Sequence, residues 1–200
     1  MPDAGWWRAL WPDPDRIAGV VGAEAGMSAL DVGCGSGYFS AALARRVSPG
    51  QLIGLDLDPE MLRQAAAACR GLGNCAWKLA DAMRLSRVIA IAVDYVLIAN
   101  TFHGAPDKTG LARQAAAVLK PAGRFVVINW HARPREETTV LGEPRGPPTA
   151  MRLCPETTRA QVEPAGFALE RLVDLPPYHY ASLFRRTARP AGVRRRAQIL

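Results

Sequence analysis

This chain of 200 residues predicts an α/β fold built on a mainly parallel sheet, and three observations carry that reading. Ala29-Leu30-Asp31-Val32 is apolar enough for a buried parallel strand. It runs into Gly33-Cys34-Gly35-Ser36-Gly37, where small residues let the backbone approach a ligand. A helix follows, its apolar face set by Phe39, Leu43 and Val47, before Ser48-Pro49-Gly50 stops it and Gln51 to Leu55 forms a second strand ending in Asp56. The helix N-terminus after the glycines faces the polar end of a ligand, and a carboxylate just past the second strand can accept hydrogen bonds from both hydroxyls of a ribose.

The alternation continues down the chain. Ala76 to Ala80 reads as a third strand ending in Asp81-Ala82, and Asp94 to Asn100 as a fourth with Asn100 at its carboxyl end. Phe125 to Trp130 reads as a fifth strand. Phe167 to Asp174 and Tyr178 to Phe184, joined through Leu175-Pro176-Pro177, read as a closing hairpin. Before the first strand, Trp6-Trp7-Arg8-Ala9-Leu10-Trp11 leads to a helix signalled by Asp13 as N-cap and Pro14 at the first helical position. The expected organisation is one domain over residues 1–185 with an N-terminal aromatic and helical cap, followed by a basic tail over 186–200.

Composition narrows the function classes. No apolar run is long enough to span a membrane, and Met1 to Gly5 lacks the basic start of a signal peptide, so the expected location is the cytoplasm. Cys34, Cys69, Cys75 and Cys154 form no C-x-x-C pair and no zinc-ligand spacing, which fits free thiols. Of the net charge of +7, five arginines and no acid fall in 186–200, so the body of the chain carries only +2. That balance argues against nucleic acid as the partner.

The spacing departs from the dinucleotide fingerprint G-x-G-x-x-G, because Tyr38 stands at the third glycine position. Asp31 followed by Gly33, Gly35 and Gly37 instead resembles motif I of the class I S-adenosylmethionine-dependent methyltransferases, Asp56 to Leu62 is similar to their post-I segment, and Leu119 to Arg124 resembles their turn into the fifth strand. The resemblance implies a Rossmann-like, doubly wound sheet of seven strands, mostly parallel with the last strand antiparallel. It also implies S-adenosylmethionine as cofactor, with Asp31, Gly33 and Gly35 at its methionine end, Asp56 at the ribose, Met61, Asp81 and Ala82 at the adenine, Leu57 in the post-I contact segment and Asn100 at the methionine amine. The activity implied is in-line methyl transfer to a small molecule, as in the quinone-biosynthesis and type 11 branches. Base-directed enzymes would carry Asp, Asn or Ser before Pro-Pro-Tyr or Pro-Pro-Phe after the fourth strand, whereas this chain has Asn100-Thr101-Phe102-His103. The alternatives are a cofactor-binding protein without transfer, an RNA-directed methyltransferase and an NAD-dependent oxidoreductase. No oligomeric state is legible.

Acceptor-side residues are expected outside the carboxyl ends of the strands. His103 and His131 follow the fourth and fifth strands and are the candidate catalytic bases, since imidazole can take a proton as the acceptor attacks the methyl group. His179 opens the antiparallel strand; alternation would put Tyr178 and Tyr180 on the other face from it. Three imidazoles at strand ends could alternatively hold a metal, though nothing in the spacing demands one. The long segment from His131 to Pro155, with Arg133, Arg135, Glu136, Glu137, Arg145 and Pro147-Pro148, has the length of a functional lid or a disordered loop, and its charges suit either a polar or anionic acceptor or a solvated loop.

Overall fold

The computed structural model describes residues 4–187. In chain order the elements are α1 (Ala4–Leu10), α2 (Pro14–Val20), β1 (Ala29–Val32), α3 (Tyr38–Val47), β2 (Leu52–Asp56), α4 (Pro59–Ala68), β3 (Cys75–Leu79), α5 (Leu85–Val88), β4 (Val93–Ala99), α6 (Lys108–Val118), β5 (Leu119–Trp130), β6 (Thr139–Val140), β7 (Glu143–Pro144), α7 (Pro155–Val162), β8 (Phe167–Leu175) and β9 (His179–Arg186). Seven strands form one sheet in the order β3-β2-β1-β4-β5-β9-β8, and β6 pairs with β7 in a separate small hairpin. β1 to β5 are parallel, and β9, the last strand, runs antiparallel to both β5 and β8.

The central strands alternate between two cores, as a sheet covered on both faces requires. Tyr95 and Leu97 of β4 point into one with Phe39, Leu43 and Val47 of α3 and with the aromatic α1. Val96 and Ile98 point into the other with Leu111 and Ala115 of α6 and Val162 of α7. Three helices start as their residue types dictate: the carboxylates of Asp13, Asp58 and Asp107 accept from the amides of Arg16, Glu60 and Gly110 at the beginnings of α2, α4 and α6.

Three boundaries differ from expectation. The turn read over Leu119 to Arg124 lies inside one strand: β4 pairs Val93 with Leu119 and then Tyr95 with Arg124, so the intervening β5 residues bulge out, with Ala122 at a φ of 58°. β9 runs through Arg186, whose guanidinium donates to the Leu119 carbonyl, so it takes one residue from the expected tail; residues 188–200 of that tail lie outside the described part. Tyr180 packs opposite His179 as alternation requires, but Tyr178 precedes the strand and its ring stacks on Trp130 at 6.0 Å, on the His179 side.

Candidate active site

The carboxyl ends of β1, β4 and β5 open into a cavity of about 450 Å³. β1 delivers Asp31, Gly33 and Gly35 to its wall, β4 delivers Asn100 and Thr101, and β5 delivers Trp130. Trp6 and Trp7 of α1 close one side, and Arg135, Arg145, Gly146 and Pro147 come over from the segment after β5.

The glycine turn has a geometry that only small residues allow. Gly33, Gly35 and Gly37 have φ values of 69°, 53° and 85°, a region L side chains rarely adopt. A Cβ on Gly37 would stand 2.7 Å from the Ala65 Cα, so this glycine also lets α3 close onto α4. The Gly35 amide donates to Asp56 Oδ2 at 2.8 Å, and the other Asp56 oxygen accepts from the Asp58 amide at 3.0 Å. The acid at the end of β2 is thus locked to the turn after β1, with lone pairs left on both oxygens.

Asp31 is 2 % exposed and accepts from Ser40 Oγ at 2.6 Å. Burial pushes its carboxyl up to about 6, with the Asp56 charge adding and the Ser40 hydrogen bond opposing. Asn100 adopts the left-handed conformation, φ 59°, and both polar atoms of its amide are buried without a hydrogen-bond partner. Such a pair costs free energy unless a ligand satisfies it.

Leu57, Met61, Asp81 and Ala82 do not line the cavity. They stand beyond β2 and β3, which continue the sheet from β1 on the Asp56 side. Met61, Asp81 and Ala82 are half-buried, Leu57 is 69 % exposed, and Asp81 accepts from the Met83 amide at 2.8 Å.

The three histidines separate. His103 follows β4 and lines the cavity; burial lowers its pKa, as do the charges of Lys108 and Arg152, while the Asn129 amide acts the other way. His131 is not brought to the cavity. Trp130 points toward the cavity, so the next residue points to the opposite face, where the His131 ring lies 5.3 Å from that of Tyr180 and its Nε2 pairs with Asp174 Oδ1 at 2.8 Å. His179 is fully buried, its ring 4.1 Å from Trp130 and 4.5 Å from Trp11, and burial holds its pKa well below the ordinary value. Among the described residues no three His, Cys, Asp or Glu side chains converge as a metal site would require.

Trp130 occupies the same kind of position as Asn100, at the carboxyl end of a strand, but as an apolar residue in an apolar run it carries no local sign of a site. The tryptophans of α1 divide two tasks: Trp11 donates from Nε1 to the Pro176 carbonyl at 2.9 Å and anchors the segment, whereas Trp6 and Trp7 form cavity wall. Trp7 stacks at 5.8 Å on both Trp11 and Tyr38, and the Tyr38 hydroxyl donates to the Trp11 carbonyl.

Residues 29–123 match the methyltransferase domain family, and the span runs from β1 through the glycine turn to the bulge of β5. That span carries Asp31, the glycine turn and Asp56, the residues on which the resemblance to the class I S-adenosylmethionine-dependent methyltransferases rests. It is 30 % identical over 130 residues to the demethylmenaquinone methyltransferase of Tropheryma whipplei (strain Twist), covering 65 % of this chain and 50 % of that one. It is 31 % identical over 152 residues to the nocamycin O-methyltransferase of Saccharothrix syringae, covering 74 % and 54 %. The chain therefore spans about half the length of these relatives. Its fold matches a SAM-dependent methyltransferase of Aquifex aeolicus with a TM-score of 0.78 at 23 % identity, over 92 % of this chain and 94 % of that one. Among the described residues no helix is long and apolar enough to cross a membrane.

Proposed function

We propose that this methyltransferase binds S-adenosylmethionine along the carboxyl ends of β4, β1, β2 and β3 and transfers its methyl group to a small molecule seated between His103, Trp130 and α1. The observation that carries the reading is the Asn100 amide, buried without partners on the cavity wall beside the glycine turn. A bound amino acid end offers both a donor and an acceptor to it, with the Asp31 carboxylate facing the ammonium. Asp56 receives the ribose hydroxyls, and the exposed Leu57 with Met61, Asp81 and Ala82 covers the adenine. When bound, the cofactor supplies a methyl group already activated on a sulfonium, so the chain's work is to bind, orient and exclude water. His103 is the group available to take the acceptor's proton, because its lowered pKa keeps it neutral and able to accept at physiological pH.

Both similar proteins are named as methyltransferases of small molecules, which supports the acceptor class. The four free cysteines suit a reducing compartment, and the cytoplasm is part of the proposal. Calorimetric titration with S-adenosylhomocysteine and, separately, NADH tests the binding half, and labelled S-adenosylmethionine offered with a panel of phenols, amines and carboxylic acids tests transfer. Binding of the homocysteine compound but not NADH, with label passing to one acceptor, is the expected result. Preference for NADH would replace the reading with the oxidoreductase one, and binding without transfer would favour a cofactor-binding protein.

A further inference from the structure

We infer that the acceptor pocket is built for a flat aromatic molecule carrying a carboxylate, its ring laid against the tryptophan wall and its anionic group on Arg145 and Arg135. The inference rests on the methyltransferase reading, which it extends to the acceptor's chemical class. The apolar part follows from the walls. Trp6 and Trp130 stand 5.9 Å apart by ring centroids, and Trp7 continues the surface as far as Tyr38. Flat, rigid indole faces favour a planar ligand.

The anionic part follows from what the arginines lack. Arg145 lines the cavity, yet its Nε is buried without a hydrogen-bond partner, and among the described residues no carboxylate lies within ion-pair distance of Arg135, Arg145 or Arg152. Arg135 spends its side chain on carbonyls, donating to Gly146 at 3.2 Å and Pro144 at 3.1 Å. Arg152 is 7 % exposed, its guanidinium carbon lies 5.0 Å from the centre of a Trp130 ring, and its Nη1 is likewise buried without a partner. Arg152 is buried and Arg145 half-buried with no neutralising group in contact, and the exposed Arg135 adds a third guanidinium at the same end; Glu136 acts on Arg152 only from a distance and is exposed. A buried charge of this kind calls for an opposite charge, and a planar fork matches a carboxylate.

The position is fixed before any ligand arrives. The Arg145 amide donates to the Thr138 carbonyl at 2.8 Å, and its own carbonyl accepts from Thr138 Oγ1 and Arg152 Nη2, each at 2.9 Å. A Cβ on Gly146 would meet the Trp130 ring at 2.8 Å, so the backbone after Arg145 lies directly on that ring. Trp130 ends β5, and β4 separates β5 from the glycine turn after β1. Arg145 thus stands at the acceptor end, while Asp31, the acid on the cavity wall, stands at the other.

The test uses the full chain saturated with S-adenosylhomocysteine and three probes of one shape: a hydroxynaphthoate, the corresponding uncharged naphthol and a cationic aminomethylnaphthol. Calorimetry should give the hydroxynaphthoate an affinity at least about tenfold above the naphthol, with the cation weakest. That preference should shrink as salt rises from about 0.05 to about 0.5 M and should vanish in Arg145→Gln, which keeps its affinity for S-adenosylhomocysteine. Equal binding of the charged and uncharged probes, or binding of neither to the loaded protein, overturns the inference and leaves methyl transfer standing. Weaker S-adenosylhomocysteine binding in Arg145→Gln also overturns it, by assigning the arginine to the cofactor's own carboxylate. Failure of the wild-type chain to take up S-adenosylhomocysteine would instead sink the reading on which the inference rests.

Discussion

At the scale of single residues the site works through acids and bases displaced from their ordinary protonation. A pKa for Asp31 near 6, above the usual carboxylate value, means the folded protein gains stability from holding that proton; the gain is full below about pH 4 and is lost as pH rises through about 6. The ammonium of the cofactor needs the ionised form, so affinity should move the opposite way. Titrations of S-adenosylhomocysteine should show binding weakening by up to about tenfold per pH unit below 6, and Asp31→Asn should bind weakly with no such slope. Asp56→Ala should cost about 1.5 to 3 kcal/mol of cofactor binding at neutral pH, because it removes charge-assisted hydrogen bonds to the ribose along with the anchor of the Gly35 amide. Unchanged affinity in calorimetry would remove Asp56 from the site. For His103 the readout is turnover. His103→Ala should lose about 100-fold in single-turnover rate while binding S-adenosylhomocysteine normally, and the wild-type rate should rise with pH and level off below the ordinary imidazole value of about 6.5. A wild-type rate in the variant would leave positioning as the main contribution.

At the scale of elements, sheet geometry decides which residues the sequence exposes to a reader. Asp31, Gly33, Gly35, Asn100 and His103 were legible because each sits at or just past the carboxyl end of a strand that local apolar runs mark clearly. His131 obeys the same rule and still turns away, since period two sends Trp130 and His131 to opposite faces. The segment carrying Arg145 was legible as a lid with charges for a polar or anionic acceptor, but not which of its arginines reaches the wall, for that depends on the packing of Gly146 against Trp130, a contact no local pattern encodes. The same holds for the fate of His179 at the head of β9, enclosed by Trp11 from the N-terminal segment and Trp130 from β5, with both ring nitrogens buried and unpartnered. Its depressed pKa has a definite consequence. The unfolded chain binds a proton there near pH 6.5 and the folded chain does not, so stability should fall as pH drops below about 6.5. Denaturant midpoints measured from pH 7.5 down to pH 5 should show this loss, and His179→Phe should flatten it if the aromatic neighbours accommodate the larger ring. A slope identical in the two proteins would mean that acid destabilisation arises elsewhere.

At the scale of the whole molecule, two apolar cores share one sheet, and the proposed cofactor site runs across the strand ends that both cores hold in place. α1 with its tryptophans and α3 pack on one face, α6 and α7 on the other, and β1 and β4 contribute alternate residues to each. Neither core can lose its packing without releasing strands that the other needs, so the domain should melt in a single transition. A ligand spanning β4 to β3 binds only when those strands are in register, and its binding free energy adds to the stability of the entire domain. S-adenosylhomocysteine at about 100 times its dissociation constant should contribute about 2.7 kcal/mol, which for a domain of this size corresponds to a rise in melting temperature of about 5 to 10 °C. The rise should be absent with NADH and much smaller in Asp56→Ala at the same ligand concentration. Two separate transitions, with only one shifted by ligand, would show that the two faces fold independently and that the cofactor reports on just one of them.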